Sequence, residues 1–111
     1  MTVNQISTLK DFQGLTHLRE LYLRRNFIPA SIKELRYLES VRSLRVLNLG
    51  ENPISSDQGG IPHYRSVVLN LLPWLEKLDD IPVTQAEIQQ AQQVDVNEIF
   101  HLMNMPPEMA G

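Results

Sequence analysis

An α/β solenoid is the fold class this sequence predicts, with short parallel strands on a concave face, short helices or helical turns on the convex face, and a helical C-terminal cap. Two observations predict it. The pattern L-x-x-L-x-L-x-x-N-x-I occurs twice, as Leu18, Leu21, Leu23, Asn26 and Ile28, and again as Leu44, Leu47, Leu49, Asn52 and Ile54. The segments between and after these copies carry apolar residues at helical rather than strand spacing. Each half of the pattern has its own physical task. Leucines two apart face one side of a strand, and the asparagine turns the chain just after it by bonding to backbone groups that the turn leaves unpaired.

Tandem copies of this pattern are the leucine-rich-repeat signature. Strand alternation sends Leu21, Leu23, Leu47 and Leu49 inward and leaves Tyr22 and Asn48 outward. The chain also begins with the end of a repeat. Asn4 and Ile6 lie 22 residues before Asn26 and Ile28, and Met1 takes the last leucine position. Between the two full copies, Ile32, Leu35, Leu38 and Val41 recur every three residues, which predicts a short helix or tight helical turn that starts near Pro29 and Ser31. After Asn52-Pro53, the run Ser55 to Gly60 reads as a surface loop. A helix follows, with Pro62 in its first turn, an apolar face of Tyr64, Val67, Val68, Leu71 and Leu72, and Pro73 as its stop.

Leu72, Leu75 and Leu78 then imitate a last repeat strand, with Lys77 where an inward leucine is expected, so a bulge or an early strand end is predicted there. Two capping boxes follow: Thr84 with Glu87, and Asp95 with Glu98. Each starts a helix, the first with Ile88 and Ala91 as its apolar stripe, the second with Val96, Ile99, Phe100 and Met103. Pro106-Pro107 ends the helical region. The chain divides into repeats with their cap over 1–83 and a C-terminal helical extension and tail over 84–111.

The run from Asn52-Pro53 through Tyr64-Arg65, Leu69, Leu72-Pro73, Leu75, Leu78-Asp79 and Thr84 to Glu87 resembles the C-terminal cap of short intracellular leucine-rich-repeat proteins. Within that class, Glu20-Leu21-Tyr22-Leu23-Arg24-Arg25-Asn26, Ile28-Pro29 and Leu44-Arg45-Val46-Leu47 look most like the small cilia- and flagella-associated leucine-rich-repeat proteins. The resemblance covers residues 1 to about 88. It implies a place at the basal body, cilium or flagellum and association with a NIMA-related kinase. Scaffolds of this kind also occur in a nuclear regulator of protein phosphatase 1, in a spliceosomal subunit that clasps an RNA-binding partner and in an axonemal dynein light chain. Fold alone does not choose among such roles.

Composition narrows the function classes. With 111 residues, 42% hydrophobic and 21% charged, the chain has the size and balance of one globular domain. No segment approaches the roughly 20 apolar residues that span a bilayer, so neither a membrane segment nor a signal peptide is read. The absence of cysteine favours a reducing compartment, whether cytosol, nucleus or cilium. All ten basic residues and seven acidic ones precede position 79, and six acidic residues and no basic one lie from position 79 onward. A pI of about 5.5 argues against direct nucleic-acid binding. His17, His63 and His101 are scattered, Gly59-Gly60 is turn chemistry, and the adjacent carboxylates Asp79-Asp80 are expected to face solvent. The sequence therefore predicts neither metal, cofactor nor catalysis.

A protein partner on the concave face is the reading that remains, in a ciliary, flagellar or basal-body assembly. The alternatives are a binding subunit of a nuclear complex or a passive subunit of a filament. If three strands lie in register, Glu20, Val46 and Trp74 form one outward row and Tyr22, Asn48 and Glu76 the next, with Arg24, Arg25 and Glu51 along the edge. Tyr, Trp and Arg are the side chains that dominate protein interfaces. Self-association is a further expectation. The inward row of the first full repeat would lack a neighbour, and the helix over 96–103 offers an apolar stripe.

Overall fold

The computed structural model describes residues 5–56 and 59–103. Four strands form one sheet in sequence order: β1 (Glu20–Tyr22), β2 (Val46–Asn48), β3 (Lys77–Leu78) and β4 (Ile81–Pro82). The first three are parallel, and β4 turns back antiparallel on β3. Helices α1 (Ile32–Arg36), α2 (Tyr64–Leu71), α3 (Gln85–Ala91) and α4 (Val96–Met103) complete the fold, with 3-10 turns at Lys10–Phe12 and Pro53–Ser55.

Register explains why the pattern repeats. Leu21 pairs with Leu47 and Leu47 with Leu78, and all three are buried. Each repeat also forks its first bond in the same way: Arg45 and Val46 N–H both donate to Arg19 O, and Glu76 and Lys77 N–H both donate to Arg45 O. Arg19, Arg45 and Glu76 are therefore equivalent positions. The asparagines close the turns below. Asn26 Oδ1 accepts from Ile6 N–H at 2.9 Å and Asn52 Oδ1 accepts from Ile28 N–H at 3.1 Å, one repeat back in each case. Ile6 thus stands to Asn26 as Ile28 stands to Asn52, while Met1 and Asn4 lie outside the described residues.

The three-residue periodicity of the return segment is realised as hydrogen bonds three residues long. Glu34 N–H donates to Ser31 O, Leu38 to Leu35, Val41 to Leu38 and Leu44 to Val41. The short α-helix α1 and the three-residue turns that follow it carry Ile32, Leu35, Leu38 and Val41 into the core, where all four are buried.

Several expectations fail for local reasons. Pro62 precedes α2 instead of opening it, because His63 takes a left-handed conformation with φ 54° and separates the two. The last repeat is offset from the expected alignment. Leu78, not Leu75, stands beside Leu47, so Lys77 pairs with Val46 and is exposed, with no inward leucine missing. The strand does end early, since Asp79 and Asp80 have φ 52° and 70° and form the two-residue turn into β4. The inward row at the N-terminal end is covered. Leu9 is fully buried in the same core, Ile6 and Phe12 pack against it, and Leu21 and Leu23 are 2% and 0% exposed.

Beyond position 83 the chain is tied to the cap. The Thr84 box is reciprocal, with Glu87 N–H donating to Thr84 Oγ1 at 3.1 Å and Thr84 N–H to Glu87 Oε1 at 3.2 Å. Glu98 N–H donates to Asp95 Oδ1 at 3.0 Å and starts α4. Arg65 of α2 holds the junction, since it pairs with Glu87 at 2.6 Å and donates to the carbonyls of Leu78, Ile81 and Pro82. Asn70 Nδ2 donates to Ala91 O and Val94 O at the end of α3. Pro106-Pro107 lies outside the described residues.

Candidate protein-binding face

The outward side of β1 to β3 is the face that strand alternation predicts, and its rows follow the true register. Glu20, Val46 and Lys77 form the first row. Tyr22 and Asn48 form the next, which runs on toward Asp79, whose N–H donates to Leu47 O at 2.8 Å. Trp74 and Glu76 therefore leave the rows assigned to them. Glu76 falls level with Arg45 and pairs with it at 3.5 Å, while Trp74 lies two residues earlier still, on the rim where the chain enters β3. There the Arg42 guanidinium stacks on the half-buried indole, 4.8 Å from its centroid. The spacing Leu75-x-x-Leu78, which repeats Leu18-x-x-Leu21, was the signal for Lys77.

Burial separates the remaining residues. Tyr22 is 38% exposed, and its hydroxyl donates to Glu20 Oε1 at 2.7 Å, which raises the phenol pKa above its ordinary value. The two side chains thus brace each other on the open edge of β1. Asn48 is 6% exposed and already engaged: its Nδ2 donates to Asp80 Oδ2 at 3.0 Å and its Oδ1 accepts from Gly50 N–H at 2.9 Å. It positions the face and has little surface left to offer a partner.

Of the two carboxylates after β3, Asp79 turns inward rather than to solvent, while Asp80 stays exposed as expected. Asp79 Oδ1 accepts from Leu49 N–H at 2.6 Å and its Oδ2 from the Tyr64 hydroxyl at 2.8 Å. Burial is the main cause that pushes the Asp79 pKa above the ordinary carboxylate value. It also heads the causes that push Tyr64 far above its ordinary value, with the Asp79 charge next. These two aspartates fasten the cap hairpin to β2.

On the opposite rim, Arg24 and Arg25 both pair with Glu51, at 3.0 and 2.6 Å, and Arg25 lowers the Glu51 pKa. Arg25 and Glu51 occupy equivalent positions, each before its asparagine, and both are left-handed with φ 63° and 56°. All three side chains are largely exposed. Among the described residues no group of three His, Cys, Asp or Glu could hold a metal ion, and no helix is long and apolar enough to cross a membrane.

The geometry is that of a known scaffold. A chain in the crystal structure of the Drosophila melanogaster SNF/U2A′ complex superposes with a TM-score of 0.58 at 21% identity, covering 86% of this chain and 66% of that one. The chain is a leucine-rich-repeat protein. It is 49% identical over 92 residues to cilia- and flagella-associated protein 410 of Mus musculus and 50% identical over 92 residues to the Homo sapiens protein of the same name. Each alignment covers 82% of this chain, but 35% of the mouse protein and 34% of the human one, so the chain spans about a third of these relatives. No family model matches it. As a leucine-rich-repeat protein it resembles the small cilia- and flagella-associated kind.

Proposed function

We propose that the chain is a non-enzymatic protein-binding scaffold of a ciliary, flagellar or basal-body assembly, and that its partner docks on the outward face of β1 to β3. One observation carries this reading. Glu20, Tyr22, Val46 and Lys77 stand outward on strands whose inward leucines are fully packed, so the face is presented rigidly and binding loses little conformational entropy. Tyr22 is the anchor, Glu20 and Lys77 supply opposite charges across the row, and Arg24, Arg25 and Trp74 frame the two rims. The ciliary setting rests on the relatives' printed name. A NIMA-related kinase, implied by the resemblance, is one partner to assay.

The test is affinity capture from ciliated and non-ciliated cells with the intact chain, Tyr22→Ala and Lys77→Glu. Each variant first has to show an unchanged thermal midpoint. The expected result is a set of ciliary proteins that the intact chain retains and both variants lose. Retention of every partner by both variants overturns the face assignment, and an absence of ciliary proteins overturns the setting.

A further inference from the structure

The described surface offers a second feature that the strand face does not use. Helix α4 buries Val96 and Ile99 against the domain, and Met103 packs partly against the same core. The adjacent row runs from Asp95, which caps α4, to Glu98 and Leu102 on the helix, spaced three and four residues apart so that the three lie along one side. That row forms one wall of a groove. Pro62 and His63, before α2, form the other, and Val94 and Ile99 line its floor. The groove encloses about 370 Å³, a volume typical of sites that take side chains or small ligands.

We propose that this groove is a docking site for a short helical segment of a partner protein that carries Lys or Arg beside its apolar residues. Leu102, within a wall that otherwise bears carboxylates, remains 54% exposed. It lies where an apolar side chain of an incoming helix would cover it. Charge selects the rest of the segment. Asp95 is spent on capping α4, whereas Glu98 forms no ion pair among the described residues. From position 79 onward the sequence has no Lys or Arg to neutralise it. An amphipathic helix whose basic residue lies one turn from its apolar anchor meets Glu98 and Leu102 at once, and an acidic helix is repelled. This site is independent of the strand face and stands or falls separately from it.

The test uses the full chain, labelled with 15N, and two synthetic amphipathic helices, one built from Leu and Lys and one from Leu and Glu. The expected result is that the Leu/Lys peptide alone binds, with amide shifts confined to residues 63 and 94–102. Its affinity should fall by about tenfold or more in Glu98→Lys and in Leu102→Asp, as for loss of an interface anchor. Glu98 and Leu102 are exposed, so both variants should keep the native thermal midpoint. Shifts centred on Glu20 to Tyr22, equal binding of both peptides, or unchanged affinity in both variants overturns the proposal. So does a dimer in sedimentation that Leu102→Asp dissolves, since a second copy would then fill the groove. Binding seen only after removal of residues 104–111 overturns it as well, because the chain would then occupy its own site.

Discussion

Asn52 Nδ2 donates to the Leu23 carbonyl at 2.8 Å, reaching from one repeat into the strand end of the repeat before it. The same amide donates to Leu49 O at 3.0 Å and Gly50 O at 3.1 Å, and its oxygen accepts from Ile28 N–H. One side chain therefore satisfies both turns. Asn26 makes a smaller set, to Leu23 O, Arg24 O and Ile6 N–H.

Asn52→Ala strands several of these buried backbone groups, each worth about 1–3 kcal/mol when left unsatisfied. Urea denaturation should show a loss of about 2–4 kcal/mol for Asn52→Ala and a smaller loss for Asn26→Ala. Equal losses would contradict the cross-repeat role assigned to Asn52.

The left-handed pair Arg25 and Glu51 supplies a second expectation. A non-glycine residue in this region costs about 1–2 kcal/mol relative to its ordinary conformation, and glycine avoids that cost. Both Glu51→Ala and Glu51→Gly remove the same ion pairs with Arg24 and Arg25. Glu51→Gly should therefore be the more stable variant by about 1 kcal/mol, measured as a shift in denaturation midpoint at constant slope. An advantage for alanine would place φ of residue 51 outside the left-handed region.

How far the sequence carried the fold depends on which physics repeats. The two full copies specify Leu21, Leu23, Leu47, Leu49 and both asparagines by spacing alone, and all six are buried as expected. Thr84 with Glu87 is similarly local and is legible. The third strand was misread because Leu72, Leu75 and Leu78 are all buried, so spacing alone admits two registers. Only the pairing of Leu47 with Leu78 separates them. The inward turn of Asp79 was illegible for a different reason: its partners Leu49 and Tyr64 are 30 and 15 residues away, and no local pattern announces them. The groove beside α4 likewise depends on how Pro62 and His63 meet a helix more than 30 residues later.

Glu34 is a buried carboxylate that sequence reading passed over. At 8% exposed, it accepts from Leu9 N–H at 2.7 Å and from the Thr8 hydroxyl at 3.0 Å, which pins the segment before β1 onto α1. Glu34→Ala should cost about 1–3 kcal/mol, because Leu9 N–H is left buried without its acceptor. Hydrogen exchange locates the effect: the Leu9 amide should lose protection before Leu47 does. Uniform loss across both would mean that this segment has no separate anchor.

The cap should respond to acid through Arg65 and Glu87. Arg65 lowers the Glu87 pKa below its ordinary 4.5, so this carboxylate binds protons more weakly in the folded chain than in the unfolded one. Its contribution to stability is then fully present above that ordinary value and is lost as pH falls through the lowered one. Glu51 shifts in the same direction, and Asp79, raised by burial, shifts in the opposite one. Asp79 favours the folded state when protonated, and that contribution fades as pH rises through its raised pKa. Both groups remain when Glu87→Gln is compared with the native chain, so their effects cancel in the difference. That difference should be fully developed above the ordinary Glu87 value and shrink as pH falls through the lowered one. Asp79→Asn, compared in the same way, should become relatively more stable as pH rises. A Glu87→Gln difference independent of pH would show that Arg65 holds the cap through its carbonyl bonds to Leu78, Ile81 and Pro82 alone.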